Sequence, residues 1–80
     1  MDSNDELIQK VIAEATGRYL EQISIDAGLI SDLHVDDLDL LEIALGLEDE
    51  FNIEINDSDT DGWVTVSDVI RCVKDKLATS

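Results

Sequence analysis

Between Arg18 and Arg71 this chain carries no lysine or arginine, while fifteen aspartates and glutamates fall in the same stretch. Like charges at that density repel one another in a compact state. Any fold must therefore spread them over its surface and bury its apolar residues elsewhere. The material for a core exists, because 44% of the 80 residues are hydrophobic, too many for a disordered acidic tail. Eighty residues make at most one small domain, 1–80, whose thin core covers roughly 60–65% of the unfolded surface.

The formal charge of −15 also limits the partners. Sequence-independent nucleic-acid binding needs cations that displace phosphate counterions, and an anionic membrane surface would repel this chain. A basic protein surface or divalent cations are the partners such a field attracts. No apolar run approaches the ~18 residues of a membrane span, and the first residues do not read as a signal peptide. A single cysteine, Cys72, precludes an internal disulfide and fits a reducing compartment. These features together predict a cytoplasmic monomer that touches neither nucleic acid nor membrane.

Hydrophobic spacing predicts helices and no strands. Ser3 and Glu6 have the spacing of a capping box, followed by Leu7, Ile8, Val11, Ile12 and Ala15 at helical intervals and a stop near Gly17. Tyr19, Leu20, Ile23, Ile25, Leu29, Ile30 and Leu33 recur irregularly, as in a long loop that lays apolar side chains on the core. A second helix is expected from Asp36 or Asp37 to about Phe51, with Val35 and Leu40 as a hydrophobic staple. The last should start at Thr65 or Val66, with Val66, Val69, Ile70, Val73 and Leu77 in one stripe and Arg71, Lys74 and Lys76 toward its negative end.

The second helix is apolar on two sides. Leu40, Ile43, Ala44, Leu47 and Phe51 share one face, while Leu38, Leu41 and Leu45 share the opposite one, beside Asp37, Glu42, Glu48 and Asp49. A central helix buried all round would give the same pattern. Carboxylates are costly to bury unpaired, however. The smaller stripe therefore reads as an exposed strip, ringed by acids and suited to a basic-rimmed partner surface.

At these residues the chain resembles the acyl carrier protein family. Asp36-Asp37-Leu38-Asp39 is similar to the family's D-S-L-D segment, and Leu47-Glu48-Asp49-Glu50-Phe51-Asn52-Ile53-Glu54-Ile55 to the acidic segment that follows it. The resemblance implies an all-α, four-helix acyl-carrier-like bundle with a long first loop and a short third helix. It implies a carrier, not an enzyme, of acyl thioesters on a 4′-phosphopantetheine arm set within Asp36, Asp37, Leu38 and Asp39. It also implies partners with basic surfaces, namely acyl-transfer or synthase enzymes and a phosphopantetheinyl transferase, meeting Leu38, Leu41, Glu42, Leu45, Glu48 and Asp49. Fatty acid or polyketide biosynthesis, a part of lipid metabolism, would be its setting. By the same resemblance divalent cations would sit at Asp36 and Asp39, and at Glu48, Glu54 and Asp57, where Asn52 replaces an acid.

The departure lies at the attachment position, which holds Asp37 in place of serine. Attachment requires a hydroxyl that attacks the pyrophosphate of coenzyme A, and a carboxylate forms no stable equivalent. Two explanations fit: a naturally divergent, non-carrying relative, or a carrier whose serine has been replaced. Ser31 and Ser67 offer hydroxyls outside the D-x-L-D context.

A second motif points to metal. Residues 57–68 resemble an EF-hand or dockerin-type calcium loop, with Asp57, Asp59 and Asp61 at positions one, three and five. Gly62 stands at the sharp turn, Trp63 offers a backbone carbonyl, and Asp68 stands at the twelfth position. The expectation is Ca2+ or Mg2+ on Asp57, Asp59, Asp61, Trp63 and Asp68, with a calcium-binding interaction module as the alternative function. The competing reading is that these acids cap the flanking helices. His34 has no second zinc ligand in sequence, and the acids of 36–39 are explained by a charged helix start without acid–base chemistry.

Overall fold

A computed structural model describes residues 3–79. The order is α1 (Ser3–Thr16), a 3-10 turn (Leu20–Gln22), α2 (Asp37–Phe51), α3 (Asp57–Asp61) and α4 (Val66–Thr79). This is the expected all-α arrangement with a long first loop and a short third helix. The helix begins at Ser3 itself, one residue before a Ser3 cap would place it, and the residue preceding it lies outside the described part. Among the described residues no helix is long and apolar enough to cross a membrane.

Each boundary has a local cause. α1 ends at Gly17, whose φ of +69° is open to glycine, and the Arg18 amide closes the end on the Ala13 carbonyl at 3.0 Å. α2 ends at Asn52, left-handed at φ 54°, a conformation that asparagine tolerates better than most residues. α2, α3 and α4 each begin with reciprocal side chain–backbone bonds. Asp36 accepts from the Asp39 amide at 2.8 Å while Asp39 accepts from the Asp36 amide at 3.3 Å. Asn56 and Asp59 repeat the exchange at 3.2 and 3.1 Å. Asp68 accepts from the Thr65 amide at 3.0 Å and donates its own amide to the Thr65 hydroxyl at 3.3 Å. Part of the acidic excess thus satisfies free N–H groups at helix starts.

Among the described residues the buried ones are apolar: Ile8 and Ile12 of α1, Ile43 and Leu47 of α2, and Val66, Val69 and Val73 of α4 are closed to solvent. α1 lies mainly on α2, where a Cβ added to Gly46 would come within 2.8 Å of Val11 Cγ1. The long loop earns its order by contributing Ile23, Leu29, Leu33 and Val35 to this core. Its carbonyls also serve the start of α4, since the Val66 and Ser67 amides donate to Ala27 and Ile25, both at 3.0 Å. In return the Leu29 amide donates to Val64 at 2.9 Å. Cys72 is half-buried against the core.

Candidate functional site

The candidate site is the outward side of α2 and the groove between α2 and α3. The helix is apolar on two sides, and only one of them is core. Ile43, Ala44 and Leu47 are buried, whereas Leu38, Leu41 and Leu45 are 62, 54 and 54% exposed. Asp37, Glu42 and Asp49 are exposed around that strip, and Glu48 is half-buried. Among the described residues no carboxylate of α2 takes part in an ion pair, because Lys74, Lys76 and Arg71 face Asp5, Asp59 and Asp68 instead. The apolar strip therefore lies in an uncompensated negative field.

Along the other side of this strip runs a groove of about 490 Å³. Leu40, Leu41, Ala44, Leu45 and Ile55 supply its apolar wall, and Asp37, Glu48, Asp57 and Asp61 its acidic rim. Glu48 holds the far wall, accepting from the Ile55 amide at 2.8 Å. Asp37 opens α2 as its first residue after the Asp36 cap, so its side chain stands at the mouth of this groove, in solvent.

The arm implied by the resemblance requires a hydroxyl at this mouth, and the residues present do not fit it. The first turn of α2 presents Asp36, Asp37, Leu38 and Asp39, with no hydroxyl among them. Thr60 lines the groove, but its hydroxyl donates to the Asp57 carbonyl at 3.0 Å. Ser31 lies in the loop, and Ser67 on α4 shares its hydroxyl with Thr65 at 2.9 Å.

The calcium-loop expectation is corrected by the backbone. Asp57–Asp61 is a helix, so Asp57, Asp59 and Asp61 are about 200° apart in succession and cannot converge on one ion. Gly62 sits at φ −88°, without the sharp turn the motif assigns to it. Asp59 is engaged by Lys76 at 2.9 Å and by the Asn56 amide, and Asp68 by the amides of Val64 and Thr65, both at 3.0 Å. These contacts hold both carboxyls below their ordinary range: Lys76 is the main cause for Asp59, and the Thr65 amide for Asp68. Trp63 is buried, 6% exposed, with its indole N–H unpartnered. Among the described residues no three acids, histidines or cysteines are grouped to hold a metal.

The helix-capping reading of these acids is the one the geometry matches. The feature missed in the sequence is Asn56, whose place three residues before Asp59 is itself a capping signal. Ion pairing of Asp59 with Lys76 spans the third and fourth helices and has no local signature.

Comparison with known proteins gives concordant results. The family model for the phosphopantetheine attachment site matches residues 6–73. An acyl carrier protein of Nitratidesulfovibrio vulgaris (strain DSM 19637 / Miyazaki F) is 38% identical over 74 residues, 92% of this chain and 97% of that protein. The match runs through the first helix, the long loop, α2, α3 and most of α4. With that coverage and the helical order described above, the chain belongs to the acyl carrier protein family.

Proposed function

We propose that this chain is a docking member of the acyl carrier family that is not loaded at Asp37. It works in the cytoplasm as a monomer, catalyses nothing, and is recognised through α2 by enzymes that handle acyl carriers. The observation that carries this reading is the combination on one helix: Leu38, Leu41 and Leu45 exposed among unpaired carboxylates, and Asp37 in the first turn where attachment would need a hydroxyl. Apolar side chains at the centre of such a patch supply the desolvation energy on binding. The acids around them steer encounter with basic surfaces and fix orientation. Phosphopantetheinyl transferases and the synthases or acyl-transfer enzymes of lipid metabolism are the partner classes.

Competition tests this reading. In a reaction that loads a serine-bearing acyl carrier protein from coenzyme A, this chain should inhibit the transferase competitively and remain unmodified. Leu41→Asp and Glu48→Lys should each raise its inhibition constant about ten-fold or more, since truncating or reversing a central contact costs over 1 kcal/mol. Absence of inhibition, or inhibition by both variants as strong as that by the unaltered chain, would contradict docking through α2.

A further inference from the structure

Helix α3 is five residues long and buries none of them. An isolated helix of that length does not persist in water, so its place depends on what ties it down. To α2 the tie is the Glu48 carboxylate on the Ile55 amide. To α4 it is Lys76, which donates to Asp59 Oδ2 at 2.9 Å while the same oxygen caps the Asn56 amide at 3.1 Å. Both partners of the pair are about three-quarters buried, at 26 and 24% side-chain exposure. The Asp59 carboxylate thus holds the cap of α3 and the tether to α4 with one oxygen.

We propose that α3 is a strap latched to α4 by the Asp59–Lys76 pair, and that neutralising either charge frees α3 from α4. The proposal concerns the fold and stands apart from the docking role. The surroundings favour a release by charge. Asp68, Arg71, Cys72 and Asp75 of α4 line the same depression as Asp59 and Lys76, Glu54 acts on Lys76 from the segment before α3, and Asp57 and Asp61 flank Asp59 on its own helix. Carboxylates outnumber cations there. With Lys76 neutral, α3 would be left among like charges. Lys76 is held above its ordinary value chiefly by Asp59, and Asp59 below its own chiefly by Lys76, so both stay charged at neutral pH.

Amide hydrogen exchange on the full chain tests this. In Lys76→Gln, the amides that close α3 and its exit (Asp59, Thr60, Gly62 and Trp63) should exchange about two- to five-fold faster, the range for one ion pair. Those of α1, α2 and α4 should be unchanged. Asp59→Asn, which keeps an acceptor for the Asn56 amide, should do the same, and Lys76→Arg should not. Unchanged protection of α3, or an equal loss across all helices, would each overturn the latch.

Discussion

Two leucines on α2 separate the two faces of this helix, and their truncation to alanine develops the account most sharply. Leu47 is fully closed to solvent, in contact with a core drawn from α1, the long loop and α4. Leu41 is 54% exposed on the opposite side. Removing a buried leucine side chain costs about 2–5 kcal/mol, through lost transfer energy and the cavity left behind. An 80-residue domain has only about 4–12 kcal/mol of stability in all. Leu47→Ala should therefore consume a large share of it, lowering the melting temperature by on the order of 10 °C or more. Leu41→Ala should stay within about 0.5 kcal/mol of the unaltered chain, while weakening partner binding. The assay is urea unfolding followed by Trp63, the sole tryptophan, which is buried in the folded chain and meets water on unfolding. If Leu41→Ala cost as much as Leu47→Ala, α2 would be buried all round and the exposed strip would not exist.

Three further outcomes follow from the packing and the charges. Gly46→Ala should gain about 0.5–1 kcal/mol in helix propensity but lose about 1–3 kcal/mol to its contact with the stiff Val11. Chemical denaturation should show a net loss, and a smaller cost for the same substitution in a Val11→Ala background. For pH, Asp59 and Asp68 have folded values below the ordinary 3.8, so their stabilisation is present above that value and is lost as pH falls through the lowered ones. Thermal melts should thus fall steeply below about pH 4, and Asp59→Asn should blunt that fall; an unchanged profile in the variant would refute the assignment. Lys76, raised above 10.5, contributes below that value and ceases to as pH rises through its folded value, so its contribution is constant at neutral pH. Calcium titration followed by calorimetry should give no saturable site that depends on Asp57 or Asp61, and loss of such a site in Asp61→Ala would reinstate the calcium loop.

The helices were legible because their signals are local. Asp36 as cap, the double stripe of α2, the Gly17 stop and the stripe Val66, Val69, Ile70, Val73 and Leu77 all follow from a helical period and the chemistry of helix ends. Residues 57–68 were harder, because the same aspartates suit a calcium loop and a run of helix caps. What decides between them is the Asn56–Asp59 exchange together with Lys76, which reaches α3 from seventeen positions away in sequence. The long loop was recognisable as apolar but irregular. Which of its residues would be buried depended on its pairing with 64–67, a contact with no pattern inside the loop: Leu29 is buried and Ile30, its neighbour, is 67% exposed.

The central claim is that this is an acyl carrier scaffold whose docking helix remains while its loading position does not. Intact-mass measurement tests it most directly, on the unaltered chain and Asp37→Ser side by side, each incubated with coenzyme A and a broad-specificity phosphopantetheinyl transferase. The account predicts a gain equal to one phosphopantetheine arm on Asp37→Ser and none on the unaltered chain. A gain on the unaltered chain, or none on Asp37→Ser, would contradict it.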